Sequence, residues 1–280
     1  MLPLSPLELL ILALVVVGVG VVSNIAGFGG AIFVIPLLLL VFDVPPKIAI
    51  GSSLAAIAFP ALVGFLSAWR RHEVDFTAGI VIELPTMVGA VVGASFVSVV
   101  DNHIIHAIFG MVALTLAVVM GWRSWKTRGN IDLGHHFPLL KRLTKIRPWY
   151  RINKEDYSYR LSLPFMTGVG FLIGVLSGLL GVGGGWIKTP FLIFVVGLPP
   201  VVASGTALFM LVFTSVSGGL VHFLSGHWDL ELFLTLAVSL SVGALGGDKL
   251  KHRIGSYQIS LVVAGSLFIV ALVMLAESVM

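Results

Sequence analysis

Lys188 stands in the stretch GVGGGWIKTP, Gly181–Pro190, where four glycines, a lysine and a proline interrupt an otherwise apolar run. A related stretch, GFGGAIFVIP, fills Gly27–Pro36, with Val34 in the lysine's place. This combination suits an anion. Glycines permit positive φ and close backbone approach. A helix that begins just after them leaves its first N–H groups without intrahelical acceptors, at the positive end of its dipole. The candidate lining is Gly27, Gly29 and Gly30 from the first stretch and Gly181, Gly183, Gly184 and Gly185 from the second, with the Lys188 ammonium as a point charge. Asn24 precedes the first tip, and Ser52 and Thr206 follow Gly51 and Gly205. Their amide and hydroxyl donors would complete an oxyanion shell, unless they bond back to their own helices.

Two ionisable side chains carry competing readings. Lys188 either serves the anion or snorkels to a membrane interface. Glu83, just before Pro85, either carries a coupling proton or pairs with Arg70 or Arg71. Asp75 and Asp229 read as caps of the helices that follow them. No cofactor or metal is expected: there is no cysteine, His135-His136 lacks a spaced partner, and His222 reads as a packed, hydrogen-bonded histidine. No nucleophile, zincin or phosphate-loop pattern appears, and no strand precedes the glycine tips, so the chain does not read as an enzyme.

The surrounding elements follow from composition. Of 280 residues, 58% are hydrophobic and 11% charged, and the mean hydropathy is +1.06. So little charge cannot dress a water-soluble surface. The chain reads as all-α and polytopic, because helices satisfy backbone polar groups inside hydrocarbon. The N-terminal apolar segment lacks a basic region and a cleavage site, and is expected to stay as the first helix. The net charge of +4 does not point to nucleic acid, since ten of the seventeen Lys and Arg fall between Arg123 and Arg160. One basic loop between two apolar halves fits membrane topology. Its mixture of Lys and Arg with Trp149, Tyr150 and Tyr157 suits a segment lying on anionic lipid headgroups.

The two halves are copies. A shift of 154 residues takes Ser23 onto Ser177, Gly27 onto Gly181, Pro36 onto Pro190, Pro45-Pro46 onto Pro199-Pro200, Asp75 onto Asp229 and Gly93 onto Gly247 without a gap. Each half offers a Gly-broken helical hairpin and three further transmembrane helices, near Leu7–Phe42, Ile48–Trp69, Thr77–Val100 and Ile104–Trp122, then Ser162–Val196, Val201–Leu224, Glu231–Asp248 and Tyr257–Ala276. An odd number of segments inverts the second copy. The charges agree: Arg70 and Arg71 have no basic counterpart near His227, and Lys249, Lys251 and Arg253 have none near Ser95. The expected organisation is a first repeat over 1–122, a basic cytoplasmic loop over 123–160 and an inverted repeat over 161–280, with both termini outside. Such repeats are typical of secondary transporters whose site lies at mid-membrane beside broken helices. A passive anion channel on the same scaffold is the alternative. Each hairpin, about 36 residues or roughly 54 Å as helix, falls short of two crossings at about 60 Å, so the tips are expected inside the membrane. For Gly89/Gly93 and Gly243/Gly247, four apart, tight helix packing is expected instead of binding.

The motif GxGG(G/A)xxxxP in both halves, the double proline nine residues on and the basic central loop resemble the sulfite exporter TauE/SafE family, also called toluenesulfonate uptake permeases. The resemblance covers nearly the whole chain outside Arg123–Arg160, with Ala31 departing from the Gly185 pattern. It implies export of a small sulfur-containing anion, of sulfite, sulfonate or sulfoacetate type, across a bacterial-type inner membrane. The expected partners are that anion and membrane lipids. A homo-oligomer is compatible with the sequence, which holds no signal for one.

Overall fold

Ser5 accepts the Glu8 N–H while the Glu8 carboxylate takes the Ser5 N–H at 2.7 Å, and Pro6 fixes the first turn, so α1 (Pro6–Ala26) starts on a capping box. The computed structural model describes residues 5–127, 148–154, 157–251, 264–265, 268–269, 271–276 and 278. Helix α1 ends at Gly27, whose φ of 75° is the left-handed stop that glycine adopts freely. After the first tip come α2 (Ala31–Leu40), α3 (Pro46–Arg70), α4 (Phe76–Phe96) and α5 (Asn102–Thr127). The second half repeats the order with α6 (Leu163–Leu180), which stops at Gly181, and α7 (Gly185–Phe191), which runs on as a π-helical turn, Leu192–Val196. Then follow α8 (Pro200–Leu224) and α9 (Leu230–Lys251), and helical residues within 264–276. Most of the basic loop, including His135 and His136, and residues 252–263 lie outside the described residues.

Six of these helices are long and apolar enough to cross a membrane, and α2 and the Gly185–Val196 segment are shorter apolar helices. The chain is a multi-pass helical membrane protein. Helix α4 shows the pattern that lipid imposes. Ile80, Leu84 and Val88 face outward, while Glu83, Thr86, Gly89 and Gly93 face the protein. Polar and small residues are inside because the solvent outside is hydrocarbon.

The packing interlocks the two halves. Helix α4 lies along α6 and beside α8, and α9 lies along α1 and beside α3. The glycines expected to pack do so at matching places. A Cβ at Gly93 would stand 2.1 Å from the Val175 carbonyl oxygen, and one at Gly247 would stand 2.5 Å from that of Val21. Only a bare Cα admits so close a neighbouring backbone.

The cap geometry matches across the halves as well. The Asp75 carboxylate accepts the Ala78 N–H at 3.0 Å and starts α4; that of Asp229 accepts the Leu232 N–H at 3.1 Å and starts α9. Both act as the caps expected of them. Each of these aspartates also donates its own N–H to a hydroxyl of the other half, Asp75 to Thr206 and Asp229 to Ser52, both at 2.9 Å.

The described end of the basic segment folds back onto the helices. Strands β1 (Trp149–Asn153) and β2 (Ser158–Ser162) form an antiparallel ribbon with Ile152 opposite Tyr159. Tyr159 and Leu161 are buried with Val196 and Leu198. The Tyr157 and Tyr159 hydroxyls donate to Asp75 at 3.0 and 2.7 Å. Burial of one strand face against the helices, and the phenol–carboxylate bonds, hold this segment on the protein.

Candidate functional site

The two glycine tips meet at the centre of the molecule. The Gly27 N–H donates to the Asn24 carbonyl at 3.1 Å and the Phe28 N–H to that of Ser23 at 2.8 Å, closing α1. Gly29 and Gly30 continue at φ 78° and 100°, and Gly183 and Gly184 do the same in the second tip at 69° and 74°. A Cβ at Gly185 would stand 3.0 Å from the Gly27 carbonyl oxygen, and the Thr189 hydroxyl donates to that same oxygen at 3.1 Å. The seven glycines singled out in the sequence are all buried. Leu211 of α8 is wedged between the tips, its two methyl carbons 2.2 Å from a Cβ at Gly29 and 2.4 Å from one at Gly183.

Lys188 is fully buried, so it does not snorkel. Its ammonium donates to Glu83 Oε2 at 2.7 Å. Thr214 of α8 completes the group: its hydroxyl hydrogen-bonds both the Lys188 ammonium and Glu83 Oε1. The pairing of Glu83 with Arg70 or Arg71 is corrected here. Arg71 instead forms its ion pair with Asp248 of α9, at 2.5 Å, and Glu83 points inward because its face of α4 meets α8. An isolated charge at this depth would be costly, and a hydrogen-bonded pair is the arrangement that tolerates burial.

The remaining candidates divide. Ser52 and Thr206 lie away from the ion pair, each accepting the N–H of the other half's capping aspartate. Asn24 is buried beside Gly64, with its Nδ2 lacking an acceptor among the described residues. Ser177 and Ser215 are buried beside the second tip, and neither hydroxyl has a partner among the described residues. A Cβ at Gly184 would lie 3.3 Å from Ser177 Cβ, and one at Gly183 would lie 3.2 Å from Ser215 Oγ. His222 packs as expected, with Nε2 3.1 Å from the Gly178 carbonyl oxygen. No cluster of three potential metal ligands occurs among the described residues.

Sequence reading missed Leu211, Thr214 and Ser215. A signal for two of them was present, since Thr214 and Ser215 replace Pro60 and Ala61 of the other copy, as Lys188 replaces Val34 and Glu83 faces Ala237.

Comparison with known proteins agrees with this architecture. The chain matches the family described as Sulfite exporter TauE/SafE over residues 12–274. The chain belongs to the sulfite exporter TauE/SafE family. It is 29% identical over 246 residues to the probable membrane transporter protein YunE of Bacillus subtilis, covering 85% of each chain. It is 25% identical over 285 residues to the probable membrane transporter protein MJ0441 of Methanocaldococcus jannaschii, covering 95% and 96%. A shorter match, 37% identical over 79 residues, joins it to Sulfite exporter TauE/SafE family protein 6 of Arabidopsis thaliana, covering 28% of this chain and 18% of that one. No solved structure matches the chain. As a TauE/SafE member the protein is a membrane transporter, and its buried ion pair lies beside the second glycine tip.

Proposed function

We propose that this protein is a secondary transporter of small sulfur-containing anions, of sulfite, sulfonate or sulfoacetate type, in the inner membrane, working in the direction of export. The anion binds where the two tips meet, at the backbone of Gly27, Gly29 and Gly30 and of Gly181, Gly183, Gly184 and Gly185, next to Lys188, with Asn24 nearby. Ser52 and Thr206 contribute at one remove, by fixing the starts of α4 and α9. The observation that carries the reading is a buried ammonium held by a carboxylate beside the second glycine turn, where that turn meets the first. Such a constellation has little structural purpose in a membrane core, where intramembrane ionisable residues mark substrate and ion pathways.

Alternating access is taken to arise from rocking of the two repeats around the site, as in other inverted-repeat transporters. The repeats over 1–122 and 161–280, joined by the segment 123–160, lie inverted in the membrane, with the basic side cytoplasmic and the termini outside. With Leu211 wedged between the tips and the tips buried, the anion's place is closed in this conformation, and movement of the surrounding helices is needed to open it. This favours a transporter over a passive channel on the same scaffold. Proteoliposomes test it directly. Counterflow of labelled sulfite against a panel of sulfite, thiosulfate, sulfoacetate and sulfate is expected to show saturable exchange for at least one sulfur anion. A pH gradient alone is expected to drive uphill movement. Flux that only ever runs down the anion's own gradient, with no counterflow, points to the channel.

A further inference from the structure

We propose that Glu83 is the resident occupant of the anion site: its carboxylate holds, between Lys188 and Thr214, the place that a substrate anion takes, and the anion enters as Glu83 takes up a proton. The inference rests on the reading of the place beside Lys188, where the tips meet, as the anion's, and adds how that place is kept and emptied.

Its basis is a position-by-position comparison within one molecule. Glu83, Lys188, Thr214 and Ser215 occupy the positions that Ala237, Val34, Pro60 and Ala61 fill in the other copy. Those counterparts are buried too, and Val34 and Ala237 pack in an apolar cluster with Leu12, Val16 and Leu240. The same scaffold therefore accommodates buried apolar residues at these places. The polar set has been built into one tip only, and the fold does not require it.

The chemistry of the set is that of an anion receptor already filled. The Lys188 ammonium has three donor directions. Two go to Glu83 and Thr214 among the described residues. The Ser177 and Ser215 hydroxyls flank Gly184 and Gly183 without partners among the described residues. A sulfonate or sulfite oxygen accepts the same hydrogen bonds as a carboxylate oxygen. A second anion cannot simply be added, because two negative charges would then share one buried cation. Protonating Glu83 removes the conflict. A proton taken from water goes to the Glu83 carboxyl, Lys188 turns to the incoming anion, and for a monoanion the buried charge stays balanced throughout. Thr214 can then accept from the carboxylic acid or donate to the anion.

No other titratable group competes for this role from the packed elements. Helix α6 contributes no titratable side chain, α7 contributes only Lys188, and α8 contributes only His222, which is engaged with the Gly178 carbonyl oxygen.

The test uses the purified full-length protein and two anions whose charge does not change between pH 6 and 8, methanesulfonate and thiosulfate. Binding is expected to take up about one proton per anion, read with an indicator dye in weak buffer, and to weaken by up to about 100-fold from pH 6 to pH 8. In Glu83→Gln, which carries a permanently neutral side chain, the proton uptake and the pH dependence are expected to vanish, and binding at pH 8 to become tighter than in the unmodified protein. Anion binding by the unmodified protein without proton uptake overturns the proposal, and that measurement decides even if Glu83→Gln fails to fold. Binding of neither anion at either pH contradicts the transport reading beneath it.

Discussion

At the scale of residues, the Glu83–Lys188 pair is held by mutual dependence. Both side chains are buried between α4, α7 and α8, so removing either leaves an uncompensated charge. Glu83→Ala and Lys188→Val alone are each expected to lower the unfolding free energy by about 3–5 kcal/mol. Together they place at these positions the residues of the other half, Ala237 and Val34, and are expected to cost much less than the sum. Denaturant unfolding in detergent micelles measures this, and additive losses would show that the two charges do not compensate one another. Lys188 was legible in the sequence as a lysine out of place, and Glu83 as a candidate proton carrier. Their pairing was not, because the two are 105 residues apart and only the packing of α4 against α8 decides which face of α4 turns inward.

At the scale of elements, the β1–β2 ribbon ties the end of the basic segment to the start of α4. Its alternation was readable after the fact: Ile152, Tyr159 and Leu161 face the helices, while Arg151 and Ser158 face away. In a segment rich in Lys and Arg, charge obscured this period of two, and the aromatic residues read as lipid anchors. The helix starts and tips were far plainer, since Ser5-Pro6, Pro45-Pro46, Pro199-Pro200, Asp75, Asp229 and the glycine clusters are local signals that act through backbone geometry.

The ribbon also makes a pH prediction. Burial, the hydrogen bond to Asp75 and the charge of that carboxylate push the Tyr159 phenol above its ordinary value. A raised phenol pKa stabilises the fold fully below the unfolded value of about 10 and is lost as pH rises through the folded value. In an ultraviolet pH titration one tyrosine is expected to remain protonated well above pH ~10 and to disappear from the curve in Tyr159→Phe. Superimposable curves would mean that the phenol is not docked on Asp75.

At the scale of the whole molecule, matching contacts in the two halves organise the rest. Helix α4 packs on α6 as α9 packs on α1, and the capping aspartates exchange hydroxyl partners across the halves. The shift of 154 residues made the correspondence between the helices legible and Lys188 marked the second tip as different; which helices pack together emerged only from the structure. Because the chain has no cysteine, its orientation is open to clean labelling. Arg70→Cys is expected to react with an impermeant maleimide only from the cytoplasmic side and Ser225→Cys only from outside, whereas reaction of both from one side would contradict the inverted arrangement. The central claim is that the anion binds where the two glycine tips meet, beside Lys188, and counterflow of labelled sulfite in proteoliposomes tests it most directly. Lys188→Ala and Gly183→Leu, each confirmed as folded and inserted, are expected to lose exchange by about 100-fold or more, the scale of a lost buried charge contact of about 3 kcal/mol. Exchange at the unmodified rate in both variants would contradict it.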